Sequence, residues 1–135
     1  MKRWKLHHIC IQTDCYQASV DFYTRLLGFA VLRETPGFHG RAESAWLGLD
    51  ELLIELQTAK AGETLIPWDS RNAGPVHLAF LVENVEAEHR RLRNLGWQDF
   101  KVKDGLEVYR VLDGELCKVR APEGTEIELR SVTDP

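Results

Sequence analysis

The sequence predicts an α+β fold in which two βαβββ repeats form a curved mixed sheet around a cleft. Three observations carry that expectation. Two segments of matching pattern, HHICIQTDCYQASVDFYTRLLGF (7 to 29) and VHLAFLVENVEAEHRRLRNLGW (76 to 97), mark an internal duplication. Each passes from a period-2 alternation, suited to a half-buried strand, into apolar groups at helical spacing. After each helix the chain returns to short β-rich runs bounded by turn residues.

The opening strands are His8-Ile-Cys-Ile and His77-Leu-Ala-Phe. A helix follows each, with Ser19, Val20, Phe22, Tyr23, Leu26 and Leu27 on the apolar side of the first. Val85, His89, Leu92 and Leu95 mark the second more sparsely. Both helices stop at Leu-Gly-aromatic, where Gly28 and Gly96 suit a left-handed position after the last turn. Phe29 and Trp97 can then fold back onto the helix end. Strands are expected near 30 to 34, 43 to 49 and 52 to 58, then 98 to 103, 107 to 121 and 126 to 131, with Asp113-Gly114 turning a hairpin. Residues 59 to 75, rich in Gly, Pro and polar groups, read as the crossing between the copies. The expected organisation is one domain over residues 1–135, repeat one spanning 1–68 and repeat two 69–135.

Composition narrows the partners. A chain of 135 residues, 44% hydrophobic, is long enough to bury a core without disulfides. Its net charge of −4 offers no basic excess for phosphates, which argues against nucleic acid. The first twenty residues lack the apolar core of a leader, and no run approaches bilayer-spanning length, so no membrane partner is expected. Cys10, Cys15 and Cys117 are odd in number and share no metal-ribbon spacing. They read as reduced thiols, which points to the cytoplasm.

Strand alternation then sorts the polar groups. His8, Cys10 and Gln12 fall on one face of the first strand, away from Ile9 and Ile11. His77, Ala79 and Leu81 do the same against Leu78 and Phe80. In the closing strands, Leu53, Glu55 and Gln57 oppose Ile54 and Leu56, while Glu126, Glu128 and Arg130 oppose Ile127 and Leu129. A single such His or Glu is ordinarily a solvent-facing group. The duplication changes that, because it carries one His and one Glu at equivalent places, 47 positions apart in one copy and 51 in the other. Two imidazoles and two carboxylates make an N₂O₂ site, so the cleft is expected to bind one divalent metal ion through His8, Glu55, His77 and Glu128. Cys10 and Gln12 share the face of His8 and line the substrate space. Arg41, with His39 in the Gly-rich PGFHGR segment, belongs to a loop that could cover a ligand or merely turn the chain. Arg90, Arg91 and Arg93 read as a solvated helix face, and His89 joins them or the core.

Taken together, HICIQTDCYQASVDFYTRLLGF, LLIELQ, GPVHLAFLVENV and APEGTEIEL resemble the vicinal oxygen chelate superfamily of glyoxalases, bleomycin resistance proteins and dioxygenases. The resemblance covers nearly the whole chain and is greatest to the glyoxalase I (lactoylglutathione lyase) branch, with methylmalonyl-CoA epimerase close behind. It implies the same four ligands, with Glu128 as the proton-shuttling base and Glu55 as its counterpart. The implied activity is metal-dependent conversion of a 2-oxoaldehyde thiol hemithioacetal to a 2-hydroxyacyl thioester through an enediolate, as in methylglyoxal detoxification. Nickel or cobalt is the preferred ion by this analogy, with zinc or manganese as alternatives, and the implied assembly is a homodimer acting on a small molecule such as a thiol conjugate. Rival readings inside the superfamily are an epimerase of acyl-CoA, a thiol transferase and a drug-binding resistance protein. Gln12 departs from the pattern, standing where glyoxalases commonly carry an Arg for a glutathione carboxylate; Ala121 replaces an Asp before Pro122, and Cys15 a helix-capping Asp.

Overall fold

The computed structural model describes residues 3–133 and 135. The chain divides into two compact units, Met1–Pro67 and Trp68–Pro135. The first contains β1 (Ile9–Gln12), α1 (Tyr16–Asp21) continued by a π-helical turn Phe22–Leu26, β2 (Ala30–Glu34), β3 (Ser44–Leu49) and β4 (Leu52–Gln57). The second contains β5 (His77–Leu81), α2 (Val85–Asn94), β6 (Val108–Val111), β7 (Gly114–Arg120) and β8 (Glu126–Arg130). Each unit is a four-stranded mixed sheet with the order first, last, third, second strand: β1-β4-β3-β2 and β5-β8-β7-β6. Both are therefore βαβββ units of an α+β fold, with the first and last strands side by side and parallel.

Alternation drives the packing. Ile11, Ile54 and Leu56 are buried with Ala45 and Leu47, together with Val20, Phe22, Tyr23 and Leu26 from the helical segment. In the second unit Val85 and Leu92 of α2 are buried with Phe100, Cys117, Val119, Ile127 and Leu129. Each fully buried side chain of this size contributes roughly 1.5–3 kcal/mol relative to exposure, so the apolar faces hold each unit together. The second helix starts on Asn84, whose side chain accepts from the Ala87 N–H at 3.0 Å. Glu86 and Glu88 lie in its first turn and Arg91 and Arg93 in its last, complementing the helix dipole.

Both helix ends close as the Leu-Gly-aromatic signal requires. The φ angles of Gly28 and Gly96 are 84° and 94°, which an L side chain rarely adopts. At the end of α2 the Trp97 N–H donates to the Leu92 carbonyl and the Gly96 N–H to Arg93, at 3.1 and 2.9 Å, the Schellman pattern. In the first unit the bonds run from Phe29 to Tyr23 and from Gly28 to Thr24, each one residue wider. The helix expected to be uniform is thus α-helical and then π-helical. Where the backbone widens, the Thr24 hydroxyl donates to the Val20 carbonyl at 2.7 Å.

Two further expectations are corrected. Residues 98 to 103 form no strand: their backbone meets β7 at the Phe100↔Val119 bridge and through two hydrogen bonds, Lys101 N–H to Lys118 and Arg120 N–H to Asp99. The reason is space, because β6 takes the same edge of β7 as far as Cys117 and leaves a few residues of edge to pair. The hairpin turn lies on Leu112-Asp113, with Gly114 already paired to Val111. A second Asp-Gly pair, Asp104-Gly105, has φ angles of 52° and 78° and reverses the chain between Lys103 and Leu106, whose backbones exchange two hydrogen bonds.

The arginines of α2 are paired rather than merely solvated. Arg90 faces Glu86, Arg91 binds Glu88, and Arg93 binds Glu107 together with His89, whose Nε2 is 2.7 Å from the Glu107 carboxylate. Arg93 and His89 hold the Glu107 carboxyl below the usual range. A carboxyl depressed in the folded state stabilises the fold above its unfolded value, near 4.3, and this contribution fades as pH falls through the folded value. Glu107→Gln should therefore lower stability by about 1 kcal/mol at neutral pH, with the difference from wild type closing in acid. A difference independent of pH in denaturant titrations would contradict this.

Candidate metal centre

In the first unit the parallel pairing of β1 with β4 sets Cys10 beside Glu55, and the antiparallel pairing with β3 sets Trp46 on the other side. His8 precedes β1 by one residue, and its Nε2 is 3.8 Å from Glu55 Oε1. Its other ring nitrogen, Nδ1, is 2.8 Å from Nδ1 of His7. In the tautomer with Nδ1–H on His8 donating to His7, the His8 Nε2 lone pair is left facing Glu55. The Trp46 ring meets the imidazole edge-on with centroids 4.8 Å apart. Two neighbours thus fix the ring.

The PGFHGR segment frames the same face. Gly37, His39 and Gly40 all have positive φ, curling Phe38–Gly40 into one tight turn. Arg41 then reaches Gln12 Oε1 at 2.9 Å and the Thr58 carbonyl at 2.6 Å through one guanidinium nitrogen. Phe38, His39, Arg41, Glu55, Gln57 and Lys60 line an open cleft of about 550 Å³. Of the three residues expected from sequence to line the substrate space, Arg41 lines this cleft, while Gln12 binds Arg41 and Cys10 pairs with Glu55. Burial and the Glu55 carboxylate push the Cys10 thiol above its ordinary value.

The second unit repeats the arrangement. Ala79 pairs with Glu128 as Cys10 does with Glu55, and Lys118 takes the place of Trp46. His77 Nε2 is 3.6 Å from Glu128 Oε1, and its Nδ1 is 3.9 Å from Glu126 Oε1. Both carboxylates are buried, at 5% and 6% exposure. The Lys118 ammonium stands 3.3 Å from Glu126 and 3.9 Å from Glu128. Arg130 approaches the second oxygen of Glu128 at 4.0 Å.

Donors that each lie about 2.1 Å from a shared ion are about 3.0–3.4 Å apart for right-angled to tetrahedral arrangements. The His–Glu separations of 3.8 and 3.6 Å exceed a hydrogen bond and need only a small inward shift to meet that span. Each His–Glu pair by itself thus has a spacing close to that of two donors on one ion. Among the described residues no group of three or more His, Cys, Asp or Glu is gathered in a metal-holding arrangement. The structure brings together His8 with Glu55, and His77 with Glu128. Sequence reasoning did not single out His7, Lys118 or Glu126; the signal for Lys118 was present, since core positions at Cys117 and Val119 put it on the face of Glu128.

This chain belongs to the Glyoxalase/Bleomycin resistance protein/Dioxygenase superfamily, whose family model matches residues 5–129. A glyoxalase family protein from Enterococcus faecalis is similar over 97% of this chain and 100% of its own, with 27% identity and a TM-score of 0.75. Two more distant structures share the fold. One is the trypanothione-dependent glyoxalase I of Leishmania major, at 22% identity and TM-score 0.70 over 95% of this chain and 86% of its own. The other is the fosfomycin resistance protein FosX of Listeria monocytogenes in complex with Mn(II) and sulfate, at 16% identity and TM-score 0.70 over 98% and 95%. No curated protein matches the sequence significantly. No helix among the described residues is long and apolar enough to cross a membrane.

If Glu55 faces the Cys10 thiol as described, Glu55→Gln removes one of the influences that raise it. Alkylation of Cys10 at mildly alkaline pH should then quicken severalfold, as more thiolate forms. An unchanged rate, followed by mass spectrometry of the Cys10 peptide, would contradict the placement.

Proposed function

We propose that this protein is a divalent-metal-dependent lyase/isomerase of the glyoxalase I type. The observation that carries the reading is the duplicated His–Glu pair, held 3.8 Å apart in one unit and 3.6 Å in the other at matching strand positions. In this reading His8, Glu55, His77 and Glu128 hold one ion, and the substrate is the hemithioacetal of a 2-oxoaldehyde and a thiol. The ion supplies Lewis acidity, easing negative charge on two adjacent substrate oxygens as a proton leaves the neighbouring carbon. Nickel or cobalt suits two imidazoles with two carboxylates, and zinc or manganese is compatible.

The chain's own residues do the rest. Glu128, buried on its strand, takes the proton from the substrate carbon and returns it to the adjacent one, with Glu55 as its counterpart. Burial keeps competing water from the carboxylate. His7 and Trp46 hold His8 with Nε2 toward Glu55, so little freedom is lost when the ion arrives. Cys10, Gln12 and Arg41 line the substrate space, and Arg41 supplies the guanidinium that position 12 lacks. The protein acts as a homodimer on a small molecule. Free thiols at Cys10, Cys15 and Cys117 support a reducing compartment, the cytoplasm.

Glu128→Gln tests the chemistry. It should leave measurable metal binding, since the amide oxygen can still ligate, while turnover of methylglyoxal with glutathione or an alternative thiol falls at least a hundredfold. Undiminished turnover would remove Glu128 from the role. If the wild type turns over a 2-methylmalonyl thioester and no hemithioacetal, the epimerase reading replaces this one.

A further inference from the structure

The two halves of the duplication are not equal, and one difference lies directly beside the carboxylates. At the strand position facing Glu55 the first unit has Trp46, whereas at the position facing Glu128 the second has Lys118. Two residues before Glu55 stands Leu53; two before Glu128 stands Glu126. An apolar pair in one repeat is thus an ion pair in the other. Side chains and distances close it into a ring: His77 Nδ1 to Glu126 Oε1 3.9 Å, Glu126 Oε1 to Lys118 Nζ 3.3 Å, Lys118 Nζ to Glu128 Oε1 3.9 Å, Glu128 Oε1 to His77 Nε2 3.6 Å. The same oxygen of Glu128 therefore faces both the imidazole nitrogen that would share an ion with it and the ammonium.

We propose that Lys118, braced by Glu126, is a positioning residue that sets the metal affinity of this protein by competing with the ion for Glu128 Oε1. The inference rests on the metal-site reading above and extends it to residues outside the four ligands. Two cations next to one carboxylate oxygen repel each other, and at a partly buried site that repulsion is poorly screened. Lys118 is mostly shielded from solvent, and so are both carboxylates. Glu126 sets the strength of the competition. Closest to the ammonium, it draws Lys118 away from Glu128; without it, Glu128 is the remaining carboxylate within 4 Å of Lys118 among the described residues. The predicted effects consequently have opposite signs. Removing the lysine strengthens metal binding, and removing its brace weakens it.

The test is titration of full-length, chelator-stripped protein with Co²⁺ or Ni²⁺ against a competing chelator, for the wild type, Lys118→Met, Lys118→Gln, Glu126→Gln and the double variant Lys118→Met/Glu126→Gln. We expect Lys118→Met and Lys118→Gln to bind at least about tenfold more tightly than wild type, and Glu126→Gln severalfold more weakly. The effect of Glu126→Gln should shrink when Lys118 is already absent, because Glu126 acts through it. A role confined to holding the strands together would weaken binding in every variant. Should neither Lys118 variant fold, as judged by circular dichroism, weaker binding by Glu126→Gln at an unchanged thermal midpoint supports the proposal, whereas weaker binding with a lowered midpoint, or unchanged or tighter binding, overturns it. Wild-type binding that is unchanged or weakened by loss of Lys118 also overturns it. No binding by the wild type would instead sink the metal reading itself.

Discussion

The parallel pairing of the first and last strands in each repeat is the constraint on which the rest depends. It places residues far apart in sequence on one face of one sheet, Cys10 beside Glu55 and Ala79 beside Glu128, with the histidines at the strand entrances. Parallel neighbours cannot be joined by a tight turn, so each pair needs a crossover, and the helix that supplies it also covers the apolar face. Ile54, Leu56, Ile127 and Leu129 bury that face, which commits Glu55 and Glu128 to the opposite one. A register slip of one residue would turn both carboxylates into the core. Fold stability and site geometry are in this sense the same property.

Alternation and duplication made much of this legible. Period 2 assigned the faces of β1, β4, β5 and β8 correctly, and Leu-Gly-aromatic located both helix ends. What stayed hidden was competition for space. Phe100 and Val102 alternate like a strand, but β6 already takes the edge of β7 as far as Cys117, leaving room only for the bridge at Phe100. Of the two Asp-Gly pairs, only Asp104-Gly105 takes positive φ at both residues, while at the second the chain reverses one residue earlier, on Leu112-Asp113. The π turn after α1 was equally invisible, since the apolar spacing of Phe22, Tyr23 and Leu26 suits either helix. Of the candidate site, the His–Glu pair within each unit could be seen because it repeats. Lys118 and Glu126 could not be weighed that way, because Trp46 and Leu53 occupy their places in the first copy.

That inequality gives the two His–Glu pairs different surroundings. In the first, an aromatic ring and a neighbouring histidine hold the imidazole, and an open cleft rimmed by Arg41 and Lys60 lies beside the carboxylate. In the second, the carboxylate is buried within a ring of charges. In the proposed reading the buried carboxylate suits a base that must exchange protons with substrate rather than water. That contrast supports the proposal of Glu128 as the base, which the family resemblance alone suggested.

The central claim is that the two His–Glu pairs serve one ion. Calorimetric titration of the chelator-stripped protein with Co²⁺, compared with His8→Ala and His77→Ala, tests it most directly. The account predicts one ion per chain in the wild type and marked loss of affinity in either variant alone. Two independent ions per chain, or full affinity after the loss of either histidine, would contradict it.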